Sequence, residues 1–377
     1  MVFEEFGSLL SSIIIRSPSF KDRLLFWTII ANPKAGGFTI RSRWNRHRDM
    51  LHDCVRLAEQ NPLRENCGPS RTARLEGQPG GMGLILTNGR GHAGDITDML
   101  IEEAAGTAEM IGAATKKRPF FLVICSGGDG TSLEVMSSLF NAPEEVRQNF
   151  AVLRLPMGTA NDGADAFELD KALELLINPA VFQRQRVLQL VTASGKGPFL
   201  AFNILSVGAD AFVTHMTNKM KGKLPGDSYK LWVDIAALFY DKVYKVGIMD
   251  INSSDEQGRE VKTLSDKFLL LAVGESGKRC YGSRNWVLPD DRNVCAIKQM
   301  PLSKKLSLKA DLKRGEHIHK EDSILWNANR VEFKAQYPLL AQMDGETVLL
   351  ENEDFPAYIE LSDPTIPILK PSVKAGH

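Results

Sequence analysis

Two hydrophobic rhythms alternate along the first half of the chain. Residues 24–30 (LLFWTII) form an almost unbroken apolar run of strand length, which stops at Asn32-Pro33-Lys34-Ala35-Gly36-Gly37. Trp44, Leu51, Cys54, Val55 and Ala58 then recur at helical spacing. The alternation repeats at 83–87, followed by Ile96, Leu100 and Ala104, and at 120–125, followed by Leu133, Met136, Leu139 and Phe140, before a fourth strand pattern at 151–155. Strands apolar on both faces, separated by helical stretches, predict a doubly wound parallel sheet with helices on both sides. Between Asn61 and Gly81 the composition turns to Pro, Gly, Arg and Asn, which reads as an inserted surface loop.

After residue 184 the rhythm changes. Strand-like segments near 185–192, 198–206, 243–252, 267–274, 293–298, 323–334 and 338–343 are separated by turns, and only 226–240 reads as helix. The expectation is a second, mostly antiparallel β domain. The domain limits are set at 1–183, 184–362 and a final segment 363–377. At the start, Phe3, Phe6, Leu9, Leu10, Ile13 and Ile14 fall on one helical face. Such a helix either docks on its own domain or touches a membrane surface. Glu4 and Glu5 oppose contact with anionic lipid and favour docking.

Composition narrows the function classes. Of 377 residues, 43% are hydrophobic and 24% charged, a globular balance. Lys plus Arg and Asp plus Glu number 46 each, so no overall basic charge argues for a nucleic-acid partner. No apolar run reaches the roughly 18–20 residues of a membrane-spanning helix. Five cysteines without a C-x-x-C pair, and no basic-apolar leader pattern, fit a reducing cytoplasmic setting.

Ligands of open parallel sheets bind at the carboxyl ends of the strands, and three strand ends here carry small or polar turns. Ser126-Gly127-Gly128-Asp129-Gly130-Thr131 stands directly between a strand and a helix. Glycines let backbone approach a phosphate, and the helix start aims free N–H groups at it. The alternative for such a stretch is a tight strand–helix turn with a cap. Asn32-Pro33-Lys34-Ala35-Gly36-Gly37 and Pro156-Met157-Gly158-Thr159-Ala160-Asn161-Asp162 repeat the theme at the same sheet edge.

Other matches carry less. Gly89-Arg90-Gly91-His92-Ala93-Gly94 formally fits G-x-G-x-x-G but follows the second strand, and no acid ends the next one, so it is read as coincidence. Met343-Asp344-Gly345-Glu346 reads by itself as a hairpin turn. Gly315-Glu316-His317-Ile318-His319 lacks a third metal ligand nearby and is read as surface. Neither a P-loop nor a protein-kinase signature is present.

Taken together, Asn32-Pro33…Gly36, Gly127-Gly128-Asp129-Gly130-Thr131 and Pro156-x-Gly158-Thr159-x-Asn161-Asp162 resemble the diacylglycerol kinase catalytic-domain family, which includes bacterial lipid kinases, sphingosine kinases and ceramide kinases. The resemblance extends through Thr87, Gly91-His92-Ala93, Glu134, Asn203…Gly208-Ala209-Asp210-Ala211, Tyr281-Gly282…Pro289-Asp290, Gly315-x-His317 and Asp344-Gly345-Glu346. It departs from the family where Lys34-Ala35 lacks the usual Ser and where Asp290-Asp291 lacks an Asp-Gly step.

The resemblance implies a first domain like that of NAD kinase, a second domain that is a β-sandwich, and a final segment returning to the first domain. It implies transfer of the γ-phosphate of ATP, with Mg²⁺, to a diacylglycerol- or sphingosine-like lipid hydroxyl in the interdomain cleft. Asp344 would be the general base. Asn32, Gly36, Gly127, Gly128, Asp129, Gly130, Thr131, Gly158, Thr159 and Asn161 would contact the nucleotide, with Thr87 and Glu134 on the adenosine side. Asp129, Glu346 and Asp210 would be the metal candidates. Residues 212–239, with Met216, Met220, Leu224 and Trp232 among lysines, would form a lipid gate at a peripheral membrane surface, or else a packed amphipathic helix. A homodimer stays open. The alternatives are a kinase of the same superfold acting on a soluble acceptor such as NAD, and a catalytically silent nucleotide-binding module.

Overall fold

The computed structural model describes residues 2–78, 82–111, 119–158, 161–220, 240–244, 246–281 and 284–372. The chain divides into two compact units, Met1–Gln185 with Pro364–His377, and Arg186–Asp363.

The first unit is built on β1 (Leu24–Ala31), β2 (Cys67–Pro69), β3 (Leu84–Leu86), β4 (Pro119–Gly127), β5 (Phe150–Pro156) and β6 (Ala180–Gln185), joined by the strand Ile366–Pro371. The order is β2-β1-β4-β5-(366–371)-β6, and β3 also pairs with β1. The strands from β1 to β5 pair in parallel, with Leu24 opposite Pro119 through Ala31 opposite Ser126. Every residue of β4 and β5 is buried, the reason these segments read as continuous apolar runs. Strand 366–371 lies parallel to β5 and antiparallel to β6.

The helices are α1 (Val2–Ile14), α2 (Gly36–Thr39), α3 (Arg41–Ala58), α4 (Arg71–Leu75), α5 (His92–Ile111), α6 (Asp129–Asn141), α7 (Glu144–Arg147) and α8 (Leu169–Ile177). Helix α1 docks on its own unit: Phe6, Leu10, Ile13 and Ile14 are fully buried. Phe38 receives both Phe3 and Phe6, each at a ring-centroid distance of 5.0 Å. The 61–81 stretch is more than a loop. Its Cys67-Gly68-Pro69 is an edge strand on β1, a place that tolerates proline. Ser70 caps α4 by accepting the Ala73 N–H at 3.0 Å and meets the buried Thr28 hydroxyl at 2.6 Å.

The second unit is antiparallel. Its strands are β7 (Leu188–Val191), β8 (Phe199–Ala201), β9 (Ile204–Gly208), β10 (Ile248–Ser254), β11 (Glu260–Gly274), β12 (Arg279–Tyr281), β13 (Asn285–Leu288), β14 (Val294–Lys298), β15 (Ser323–Trp326), β16 (Arg330–Ala335), β17 (Leu339–Met343), β18 (Glu346–Leu350) and β19 (Ala357–Leu361). The expected sandwich is one continuous sheet of 11 strands, ordered β18-β17-β9-β11-β10-β16-β19-β7-β8, with β14 on β11 and β15 on β14. The 15-residue β11 serves two arms: its first half pairs with β10, its buried second half with β9 and β14. Val207, Ile251, Phe268, Val331, Ala341 and Ile359 from both arms share one core, so the sheet curls onto itself.

Among the described residues this unit carries the α-helices α9 (Ala209–Met220), α10 (Tyr240–Val243) and α11 (Leu302–Arg314). The helical pattern anticipated at 226–240 lies, but for Tyr240, outside the described residues. The hydrophobic pattern misses α11 because its burial is inverted: Lys305 and Asp311 are buried while Leu302 and Leu306 are exposed. Lys305 is held inside by Asp241 at 2.8 Å.

If α1 is a core element, Leu10→Ala should lower unfolding free energy by about 2–5 kcal/mol in chemical denaturation. A change under about 0.5 kcal/mol would fit a surface helix instead.

Candidate functional site

The first unit gathers three loops at the carboxyl ends of β1, β4 and β5. The Asn32 N–H donates to the Ser126 carbonyl at 3.0 Å, and the Gly37 N–H to the Met157 carbonyl at 2.8 Å. The Asn32 side chain folds its own loop by accepting the Lys34 N–H at 2.9 Å. The loops after β4 and β5 meet backbone to backbone. A Cβ on Gly158 would stand 2.5 Å from the Gly128 Cα, and one on Gly127 would stand 2.4 Å from Thr131 Oγ1. No side chain fits either place.

Asn161, with φ of 59°, closes the third loop from within. Its Oδ1 accepts the Gly158 N–H at 2.6 Å and its Nδ2 donates to the Pro156 carbonyl at 3.2 Å. Thr159, between them, lies outside the described residues. A buried ion pair braces this region: Arg154 meets Asp165 at 2.7 Å, and the Arg154 N–H donates to the same carboxylate at 2.7 Å. Both partners are buried, which needs this degree of hydrogen bonding to be tolerated.

Helix α6 starts inside the cradle. Its N-cap, Gly128, has no side chain to satisfy the first N–H groups, so the positive end of the helix faces the loops uncapped by side chains. Thr131 is buried in the first turn, while Gly130 is open, with no atom within 4 Å of an added Cβ. Asp129 accepts the Gly163 N–H at 2.9 Å; burial raises its pKa, opposed by that N–H and by Arg154. Gly36 opens α2 on the neighbouring loop.

Two sequence candidates stand elsewhere in the unit. Thr87 is buried after β3, its N–H donating to the Ala31 carbonyl at 2.9 Å. Glu134 accepts the N–H groups of Gly91 at 2.7 Å and Ala93 at 3.1 Å, capping α5 from α6. That exchange also gives the glycines of 89–94 their use, as the start of a helix capped by another helix's carboxylate. Glu134, which the resemblance sets on the adenosine side, is thus anchored at the start of α5.

In the second unit, Asp344 and Gly345 form the two-residue turn between β17 and β18, with Met343 paired to Glu346. Both central residues have positive φ, 45° and 98°, so the hairpin reading of Asp-Gly holds. The Asp344 side chain does more than turn the chain. Its carboxylate accepts the N–H of Phe202, of Asn203 at 3.1 Å and of Ile204 at 3.0 Å, anchoring it to the start of β9.

Asp210, in the first turn of α9, is buried, and its Oδ2 accepts from the Ser206 hydroxyl and from Gln342 Nε2 at 3.2 Å. Burial pushes its pKa up from 3.8 to about 6, against the hydrogen bonds of Ser206, Gln342 and Tyr281. Glu346 is half-buried at the hairpin. His317 is fully buried, with Nε2 3.1 Å from the Val287 carbonyl, while His319 is exposed. Among the described residues no group of three or more His, Cys, Asp or Glu side chains is placed to hold a metal. Sequence reasoning passed over Ser206 and Gln342, because a buried Ser and Gln on strands have no motif of their own.

Comparison with known proteins agrees with the motifs. Residues 81–193 match the diacylglycerol kinase catalytic domain. A probable YegS-like lipid kinase of Yersinia enterocolitica is 34% identical over 108 residues, which is 28% of this chain and 35% of the relative. Its counterpart in Yersinia pestis matches with the same figures. The match thus spans about a third of the length of these curated relatives. The crystal structure of a diacylglycerol kinase from Bacillus anthracis shares the fold, with a TM-score of 0.51, 16% identity, and coverage of 91% of this chain and 96% of that one. A second structure from the same organism gives a TM-score of 0.54 at the same identity, covering 91% and 94%.

Gly158→Ala should cost about 1–3 kcal/mol by forcing the two loops apart, whereas Gly130→Ala should change stability by less than about 1 kcal/mol; paired denaturation curves decide. Asp210 binds its proton more tightly in the folded than in the unfolded chain. Its contribution to stability is therefore complete below the unfolded value of 3.8 and is lost as pH rises through about 6. Asp210→Asn should gain up to ~3 kcal/mol relative to wild type between pH 4 and pH 7; identical pH profiles would contradict this.

Proposed function

On the premise of a diacylglycerol kinase-like catalytic domain over residues 81–193, we propose that the protein is a lipid kinase. It would transfer the γ-phosphate of ATP to the hydroxyl of a diacylglycerol- or sphingosine-like lipid. The observation that carries this reading is the cradle in which Gly128 and Gly158 meet backbone to backbone at the uncapped start of α6.

Phosphoryl transfer asks mainly for positioning and charge neutralisation. The positive end of α6 and the glycine backbones of 127 and 128 would hold the phosphate oxygens, with the exposed Lys34 adding charge beside Ala35, where the family has Ser. Asp129 and Glu346 offer hard oxygen donors that suit Mg²⁺. The raised pKa of the half-buried Asp129 marks a carboxylate whose charge a cation would compensate. When bound, Mg²⁺ supplies neutralisation of phosphate charge. Asp210 is assigned to the support of the hairpin, since its Oδ2 is already engaged by Ser206 and Gln342.

Asp344 would take the proton of the acceptor hydroxyl as its oxygen bonds to the γ-phosphorus and the bond to ADP breaks. Three backbone N–H groups fix the direction in which this carboxylate is presented. The phosphate loops belong to one unit and Asp344 to the other. A lipid acceptor implies access to a membrane surface from the cytoplasmic side. No helix among the described residues is long and apolar enough to cross a bilayer, so access would be peripheral. The part of the anticipated gate at 221–239 lies outside the described residues.

Transfer from γ-labelled ATP with Mg²⁺ to mixed micelles of diacylglycerol, monoacylglycerol, phosphatidylglycerol, sphingosine or ceramide tests the proposal, with NAD in parallel. A labelled lipid is expected, reduced about 10²-fold or more in Asp344→Asn while nucleotide binding is retained. Because the amide introduced by Asp344→Asn would turn an N–H donor toward the N–H groups of residues 202–204, the variant's melting temperature is read alongside. Label on NAD alone would overturn the lipid acceptor, and bound ATP with no product on any acceptor would overturn the kinase.

A further inference from the structure

Gly345, between the proposed base and the metal candidate Glu346, is held at both of its peptide groups from outside the turn. Its N–H donates to Gln342 Oε1 at 3.2 Å, and its carbonyl accepts from Asn218 Nδ2 on α9 at 2.7 Å. The Gln342 amide has a fixed sense. Its Nε2 faces three acceptors, Ser206 Oγ at 3.1 Å, Asp210 Oδ2 at 3.2 Å and the Ile204 carbonyl at 3.5 Å, which leaves Oε1 for Gly345. Ser206, Asp210 and Gln342 are all buried, so each must be satisfied locally. Helix α9 adds a third point, with His215 Nδ1 3.4 Å from Thr347 Oγ1.

A two-residue hairpin needs none of this to close. The Met343–Glu346 pair and the two positive φ angles already make the turn. What the added bonds determine is the direction of the two peptide planes flanking Gly345, the first of which is shared with Asp344, and so the backbone from which the anchored carboxylate is presented. Resting on the assignment of Asp344 as base, we propose that Asn218 and Gln342 are positioning residues, a two-sided grip on Gly345 through which α9 sets the angle of Asp344.

Asn218 is the sharper probe because it is exposed and can be changed without opening the core. Four proteins are compared: wild type, Asn218→Ala, Asp344→Asn and the double variant, with kcat, KM for ATP, melting temperature and hydrogen exchange at the Gly345 amide as readouts. Asn218→Ala should lower kcat about 10-fold, leave KM for ATP and the melting temperature unchanged, and speed exchange at Gly345. In the Asp344→Asn background the same substitution should cost nothing further, because its effect passes through the base. An equal loss in both backgrounds, or unchanged exchange at Gly345, overturns the proposal. Gln342→Glu checks the buried side: it keeps the shape but presents oxygen to Asp210, and should speed Gly345 exchange, whereas unchanged exchange would remove Gln342 from the grip. If wild type phosphorylates no acceptor, the kinase reading fails on its own, and faster Gly345 exchange in Asn218→Ala still establishes the grip while unchanged exchange refutes it.

Discussion

The closeness of two backbones governs the first unit. Gly128 and Gly158 come from loops that follow adjacent parallel strands, and the separation of paired strands, roughly 4.8 Å, leaves no room for a side chain between loops that turn the same way. Much else serves that contact. The fully buried β4 and β5 hold the loops in register, Asn161 ties one loop to itself, and the Arg154–Asp165 pair braces the segment beyond it. The outcome is a rigid meeting of two small-residue loops at the uncapped start of α6, the kind of preorganisation on which the proposed phosphate site would draw.

The second unit solves a different problem with the opposite material. A hairpin tip is by nature a loose place, and here it bears a carboxylate whose direction matters. Stiffness comes from side chains: three backbone N–H groups converge on Asp344, and a buried Ser–Asp–Gln network reaches the next residue. Such a network costs desolvation of Asp210, visible as its raised pKa. The first unit thus builds its site from the absence of side chains and the second from an excess of polar ones.

The same contrast explains what was legible in the sequence. Glycine-rich turns after apolar runs announce themselves, and the parallel character of the sheet followed from runs buried on both faces. Continuous polar networks do not announce themselves: Ser206 and Gln342 sit at ordinary strand positions, and their meaning depends on a register that joins β9 to β17. Helix α11 was hidden because two charged residues, Lys305 and Asp311, take buried positions in its stripe, Lys305 held by Asp241 from α10. Glu134 was singled out only by likeness, and its bonds to the N–H groups of Gly91 and Ala93 at the start of α5 are an arrangement between two helices that no local pattern encodes. The 61–81 stretch misled through composition, since proline and glycine at a sheet edge look like proline and glycine in a loop.

Strand 366–371 lies between β5 and β6, so β6 has no neighbour in its own sheet until the far end of the chain arrives. On the ribosome, residues 180–185 must wait through the synthesis of the whole second unit before their side of the first can be finished. The sheet of the first unit can thus be completed only after the second unit has been made, and the margin of β5 is open until then. Residues 1–185 expressed alone would retain that open margin permanently, a template for strand addition between copies.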